Sequence, residues 1–492
     1  MHLPPSDILR PALVAQSPRL SPPPTPWASS AIHAAVLVAW AALFVMAFRR
    51  NGLTAWSVGG VYIAYDTALL VFVSWQTWAL LKPRSAALGV APTTERVAIT
   101  VVVAAYNEAA VLPATLAALF EQVDPADEIV VADDGSNDGT ADLLRERYHL
   151  EAAERGVLGA PSPLQPSLRW LRLERGGKAS ALNAAILQVR SPVVLTVDAD
   201  TLLDSRAIAA VRQAFASEPE LAGVTGIIEP ICQPTAAGRI FQWFQNYEYI
   251  RNFLSRYAWM RLDSLLLISG AFAGFRRDPL VAVGGFDPDC LVEDYELIHR
   301  MRRYAFRHGL TWRFRVLGNA VARTEAPGSI PAFLRQRRRW FGGFLQTQYW
   351  YRSMVGDRRL GWLGMAMLPV KAIDTLQPLY GLTAFFLLAF YIVTGRLVTL
   401  LPVAALIALK IGIDLAFHVW SVHLYRRWIG AGARASIGWA LLAALLEPFS
   451  FQLLRHAGAA LGWVSFLTGR QEWGEQRRFG FGNDDDGSTP TS

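Results

Sequence analysis

Residues 31–48 and 58–81 are two long apolar runs, and three more lie near 376–395, 397–425 and 435–468. A helix needs roughly 20 mostly apolar residues to cross a bilayer. Few architectures accommodate that layout: spanning helices near both ends, and an independent polar unit between them. Buried core helices are the alternative, but 397–425 and 435–468 are longer than a core helix needs. Composition agrees, with 52% hydrophobic residues and a mean hydropathy of +0.25. The expectation is a polytopic inner-membrane protein. Glu447-Pro448 interrupts the last run, which leaves open one kinked span, an interfacial helix plus a span, or a re-entrant pair.

The chain divides accordingly. Residues 1–30 are Pro-rich (Pro22-Pro23-Pro24, Pro26) without a cleavage-site pattern, and are expected to be disordered. Residues 31–81 form two transmembrane helices, 82–357 a soluble insert, 358–469 a second membrane region of about three helices, and 470–492 a disordered tail carrying Asp484-Asp485-Asp486. The net charge of +7 is modest, and Arg and Lys cluster at 335–339, 358–359 and 426–434, beside apolar runs. That placement suits anionic headgroups rather than nucleic acid, for which no module signature is present. Cys232 and Cys290 form no disulfide framework, and the eight histidines show no zinc spacing.

The insert alternates strand and helix. Val97–Val103 is a strand ending in Tyr106-Asn107-Glu108, and a helix follows over 109–121. Residues 128–131 form a strand ending in Asp133-Asp134-Gly135-Ser136, followed by a helix to about 148. A Pro-rich loop at 151–167 leads to a strand at 168–173, a helix at 178–189, a strand at 193–197 and a helix at about 204–217, with Thr201 and Asp204 as starting residues. Alternation of this kind predicts an α/β fold with a mainly parallel sheet covered on both faces. Ligands of such sheets sit beyond the carboxyl ends of the strands.

Each early strand of this chain ends there in polar residues, the acidic ones being Glu108, Asp133, Asp134, Asp198 and Asp200. Carboxylates gathered on one rim are costly unless a cation or donors compensate. Residues two apart in extended backbone point the same way, so Asp198 and Asp200 can aim at one spot. Two hard oxygen ligands suit a divalent cation that also holds phosphates, although Asp-x-Asp after a strand is equally plain turn chemistry. Neither a P-loop nor a dinucleotide motif is present. Gly176-Gly177-Lys178 opens a helix, offering free N–H groups and a point charge to phosphate, or simply a turn. Glu293 and Asp294 begin another helix, where acidic residues favour the helix dipole. Gln336, Arg339 and Trp340 lie on a basic helix beside the membrane part.

Asp133-Asp134-Gly135, Asp198-Ala199-Asp200, Glu293-Asp294 and Gln336-x-x-Arg339-Trp340, in that order and flanked by apolar runs, resemble the membrane-embedded processive family-2 glycosyltransferases. That family includes the bacterial poly-β-1,6-N-acetylglucosamine, cellulose and hyaluronan synthases. The resemblance covers about residues 30–470, and Ser269 to Arg277 looks closest to the poly-N-acetylglucosamine branch. It implies a nucleotide-sugar-binding GT-A-type mixed sheet inserted between N- and C-terminal transmembrane helices, in a bacterial inner membrane with the catalytic part cytoplasmic. It implies a UDP-sugar donor held by Tyr106, Glu108, Asp133 and Asp134, with Lys178, Asp198, Gln336 and Arg339 at the diphosphate. Asp198 and Asp200 would hold Mg²⁺ or Mn²⁺. Asp294 would be the general base, and Glu293 and Trp340 would meet the acceptor, a growing polysaccharide or a lipid-linked sugar. A small accessory membrane subunit is a further expected partner. Val292 stands before Glu293 where the family more often has threonine.

Overall fold

The structure is a computed structural model that describes residues 5–50, 52–82, 96–430 and 435–469. The expected disordered tail, 470–492, and the first residues of the insert, 83–95, lie outside the described residues.

The chain opens with three helices, α1 (Pro5–Gln16), α2 (Trp27–Arg49) and α3 (Ser57–Thr77). The expectation of a disordered N-terminus is corrected here. Leu9 and Leu13 of α1 are buried, and Arg19 is ion-paired to Asp287. Proline richness raised the expectation, but a few apolar side chains and one arginine suffice to dock the segment against a preformed surface.

The insert builds one eight-stranded sheet in the order β3-β2-β1-β4-β7-β6-β8-β5. Its first half is made by β1 (Ile99–Ala105), α4 (Leu112–Phe120), β2 (Glu128–Asp133), α5 (Thr140–Tyr148), β3 (Leu168–Arg172), α6 (Lys178–Gln188) and β4 (Val193–Asp198). β1 pairs in parallel with β2 and β4, and β2 with β3. The β-branched runs of β1 and β4 are almost wholly buried, as a parallel strand covered on both faces requires. The register sets Ala105 beside Asp133 and Ala104 beside Asp198, so the polar strand ends share one rim.

The second half mixes directions. It comprises β5 (Thr201–Leu203), α7 (Ala207–Ser217), β6 (Leu221–Ile231), α8 (Ala236–Arg261), β7 (Phe272–Arg276), α9 (Arg277–Ala282), α10 (Glu293–Arg307) and β8 (Arg313–Glu325). β7 runs antiparallel between β4 and β6, and β6 pairs in parallel with β8. Thr201, read as a helix-starting residue, instead opens the short edge strand β5, and the helix expected at about 204 begins at Ala207. Pairing with Ala322–Thr324 captures residues 201–203 first. The aromatic stretch at 236–260 is helix α8, and Phe241, Phe244, Tyr247, Phe253 and Trp259 are buried.

The chain continues through α11 (Ile330–Trp350), α12 (Leu368–Val393), α13 (Leu397–Ile429), α14 (Ile437–Leu446) and α15 (Phe451–Thr468). Among the described residues four helical stretches are long and apolar enough to cross a membrane: Trp27–Arg49, Gly52–Leu81, Leu363–Val393 and Val398–Ile429. Ile437–Phe449 and Phe451–Thr468 pass the same test only together, bent by 51° at the break after Glu447-Pro448, and make a fifth if counted as one span. α12 packs on α2, α3 and α15, so the N- and C-terminal helices form one bundle.

Candidate active site

Lys178 is the hub of the rim. It is the first residue of α6, preceded by Gly177 at φ +88°, a left-handed conformation that glycine adopts without strain. Its ammonium is ion-paired to Asp198 at the end of β4, and Glu293 Oε1 lies 3.7 Å away. Burial alone would push the Lys178 pKa down, but Asp198, Glu293 and Asp294 override it, and the group is held above its ordinary value. Glu293 is pushed up by burial and by Asp294, against the opposing pull of Lys178.

Asp294 sits at the first turn of α10, where the helix dipole favours its charge. Its Oδ2 accepts the Gly270 N–H at 2.7 Å and its Oδ1 the Tyr295 N–H at 2.8 Å. Gly270 precedes β7, and a Cβ there would lie 3.2 Å from Asp294 Oδ2 and 3.4 Å from Lys178 Nζ. Any larger residue would intrude between base candidate and lysine. Gly270 is a site residue that sequence reasoning passed over. The signal was a Ser-Gly pair inside an otherwise apolar strand approach. Arg256 of α8 is a second, close enough to Asp294 to feel its charge while burial draws its own pKa down to about 10.

The other expected site residues fall in three places. At the β1 and β2 ends, Tyr106 is partly exposed, with the Arg175 guanidinium 3.4 Å over its ring. Glu108 and Asp133 are buried, and Asp133 Oδ1 accepts the Ser136 N–H at 2.9 Å. Asp134 faces the Gly-Gly turn: Oδ1 accepts Gly176 N–H at 2.7 Å, Oδ2 accepts Gly177 N–H at 2.9 Å, and Arg175 pairs with it. Asp134 thus shapes the loop that aims Lys178, and Arg175 is another residue the sequence reading missed.

At the β4 end, Asp198 and Asp200 have different partners. Asp198 retains 27% side-chain exposure and meets Lys178, whereas Asp200 is buried and its Oδ1 meets the hydroxyls of Thr324 at 3.3 Å and Thr201 at 3.5 Å. Among the described residues no three His, Cys, Asp or Glu side chains are grouped so as to hold a metal by themselves. The donor set nonetheless fits a cation that brings its own ligands. Asp198 and Asp200 stand two residues apart at the end of β4, hard oxygen ligands that suit a cation completed by water and phosphate, while Asp198, Glu293 and Asp294 lie around Lys178 with Arg256 near Asp294 and Arg339 near Glu293.

On α11, Arg339 Nη1 reaches the Leu291 carbonyl at 3.4 Å, which ties this helix to the segment leading into Glu293. Gln336 Oε1 is buried without a hydrogen-bond partner among the described residues. Trp340, with the Arg337 guanidinium 4.6 Å over its ring, lines a cavity of about 130 Å³ between α11, α12 and α15, shared with Phe344, Gln377, Arg455 and His456.

With this geometry in hand, known proteins give a consistent picture. The sequence profile of glycosyl transferase family 2 matches residues 100–284, and that of glycosyl transferase family group 2 matches residues 193–409. A poly-beta-1,6-N-acetyl-D-glucosamine synthase of Staphylococcus epidermidis is 26% identical over 307 residues, 61% of this chain and 66% of that protein. The protein of the same description from Staphylococcus aureus (strain COL) is 28% identical over 247 residues, 50% of this chain and 54% of that one. The chain thus spans about half to two-thirds of the length of these relatives. Among solved structures, a mannosyltransferase from Pyrobaculum calidifontis, in complex with GDP-Man and Mn²⁺, superposes with a TM-score of 0.52 at 24% identity, covering 80% of this chain and 99% of that one. That likeness establishes a GT-A-like fold. The two matched profiles, the mixed sheet and the apolar helices on both sides support a family-2 glycosyltransferase.

Proposed function

We propose that this protein is an inverting, processive glycosyltransferase that polymerises a UDP-sugar into a β-linked exopolysaccharide and passes the product into its own membrane bundle. The observation that carries the reading is the convergence of Lys178, Asp198, Glu293 and Asp294 at the sheet rim. UDP-N-acetylglucosamine and UDP-glucose are the favoured donors, by analogy with the named activity of the staphylococcal relatives. The catalytic unit faces the cytoplasm of a bacterial cell, where nucleotide sugars are made.

Tyr106 offers its ring to the uracil, with Glu108 and Asp133 at its side, while Asp134 holds the loop presenting Lys178. Lys178 and Arg339 meet the diphosphate, with Gln336 beside Arg339. Asp198 and Asp200 would hold a divalent cation, Mg²⁺ or Mn²⁺, which supplies positive charge against the departing diphosphate. Asp294 takes the proton from the acceptor hydroxyl, whose oxygen bonds to the anomeric carbon as the bond to UDP breaks. The two N–H groups on Asp294 fix its carboxylate for that transfer. One displacement inverts the anomeric centre. Trp340 presents a flat face to the acceptor sugar, and Glu293 borders the same space.

Purified protein in detergent, given a panel of UDP-sugars with Mg²⁺ or Mn²⁺, should release UDP and yield a ladder of long products. A stable preparation that stays silent across the panel would sink the proposal. One added sugar on a lipid-linked acceptor would replace polymerisation by single transfer.

A further inference from the structure

Residues 5–26 form a strap that runs from the start of α2 across the back of the site-bearing helices. α1 packs on α6 and α9, inserting Leu9 and Leu13. The turn it meets contains Gly284 and Gly285, both at positive φ, and a Cβ on Gly284 would collide with the Leu13 backbone. Past α1, Arg19 reaches the loop before α10. Its Nε donates to Asp287 Oδ2 at 2.9 Å, and its Nη2 donates to Asp287 Oδ1 at 2.8 Å and to Asp289 Oδ2 at 3.0 Å. The Asp287 carboxylate has no solvent exposure, whereas Asp289 is 71% exposed. From α10, Arg303 Nη1 donates to the Gln16 carbonyl at 2.8 Å, so the strap is gripped from both sides.

The helices joined this way matter. α6 begins with Lys178 and α10 begins with Glu293 and Asp294. The loop between Gly285 and Val292 is their link on this side: Asn183 of α6 exchanges two hydrogen bonds of 2.8 Å with the Phe286 backbone, and Arg300 of α10 donates to the Gly285 carbonyl. Asp287 follows directly and takes a bidentate fork from Arg19. Without that fork the buried Asp287 carboxylate keeps only the Asp289 N–H at 3.1 Å and the charge of Arg300 nearby, and such a weakened pairing favours movement of the loop toward water. Movement at Asp287 feeds into Glu293 six residues on. We propose that Arg19 is a positioning residue for transfer: through Asp287 it fixes the loop that sets Glu293 and Asp294 against Lys178. The inference rests on the role given to Asp294 above and adds a residue remote from both substrates.

The test compares full-length wild type with Arg19→Ala, Arg19→Lys, a deletion of residues 2–21, and Asp289→Asn. A small misplacement of a catalytic group lowers turnover by up to about 10²-fold. The expected result is a drop of about tenfold or more in kcat for Arg19→Ala and the deletion, with a smaller change in the KM for donor, since of the donor-holding residues only Lys178 borders this loop. Arg19→Lys, which keeps the charge but not the fork, should restore part of the rate, and Asp289→Asn should match wild type. Hydrogen exchange gives a readout independent of turnover: amides of 286–295 should exchange faster in Arg19→Ala while those of β1 and β2 stay protected. A lowered Tm with wild-type kcat and unchanged exchange at 286–295 would overturn the inference. So would a KM-only effect. If wild type itself releases no UDP, the glycosyltransfer reading fails, and the exchange measurement still decides whether Arg19 fixes the loop.

Discussion

Two clusters of buried charge in this molecule are built on opposite terms. In and beside the helical bundle, signs alternate and balance. Lys410 meets Asp66 at 2.8 Å and also pairs with Asp414. Arg251 meets Glu447 at 2.6 Å, Arg455 meets Glu447 at 3.2 Å, and Glu248 meets Arg337 at 2.8 Å. At the sheet rim, Asp198, Glu293 and Asp294 crowd around Lys178, with Arg256 near Asp294 and Arg339 near Glu293, and Asp198 stays partly open to solvent. Balanced pairs complete a fold where water is scarce. A carboxylate left partly exposed at a sheet rim, as Asp198 is, is placed to meet a ligand that arrives from outside. That contrast separates charges kept for architecture from charges kept for chemistry.

The strongest way to test the contrast is Asp294→Asn. Removing a general base costs about 10²–10⁴ in rate, so turnover should fall about 10³-fold while UDP binding, followed by calorimetry, persists. Retained activity would strip Asp294 of its role. Next is Glu447→Gln, which takes from the buried Arg251 its directly paired carboxylate and leaves it the His418 ring at 2.9 Å. Breaking such a pair costs about 3–5 kcal/mol, read as a large fall in Tm in detergent. A double replacement of Arg251 and Glu447 by Met and Leu should recover much of it. An unchanged Tm for the single variant would show that the pair is solvated.

Chelation with EDTA is the third probe. UDP release should stop, yet Tm should move by no more than a few degrees, because among the described residues no three-ligand group makes the fold depend on a metal. The fourth concerns pH. Lys178 is held above its ordinary value of about 10.4. Its ion pairs should therefore contribute fully below that pH and be lost only as pH rises through the elevated folded value. Lys178→Met should lower Tm by the same amount at pH 6.5 and pH 9. A difference shrinking by pH 9 would mean that the amine titrates early. Smallest of all is Arg145→Ala on α5, whose exposed pair with Asp142 is worth about 0.3–0.5 kcal/mol at most, barely resolvable by Tm.

The first half of the sheet was legible because parallel strands buried on both faces leave continuous β-branched runs, as in Val101–Val103 and Val193–Val197. Their polar ends marked the rim proposed to hold the donor. The second half was not. β6, β7 and β8 mix parallel and antiparallel pairing, and β8 alternates in and out over 13 residues, so neither run length nor helix spacing marks them. Thr201 illustrates the limit: threonine suits a helix start locally, but an available strand edge at Ala322–Thr324 outcompetes that preference. The N-terminal strap shows the same limit from the other side. Nothing in a Pro-rich segment reveals that a buried Asp287 is waiting 268 residues away.

By itself the sequence determined the membrane frame, the rim of strand-end carboxylates and the order of the motifs, because hydrophobic length and local periodicity are properties of contiguous residues. Which carboxylate meets Lys178, that Asp134 serves the Gly-Gly turn, that Gly270 leaves room beside Asp294 and that Arg19 closes over Asp287 were decided only by the tertiary structure. The reason is physical. These are contacts between elements far apart in the chain, and their partners are chosen by burial and packing once the sheet has brought them within reach, not by anything encoded beside each residue.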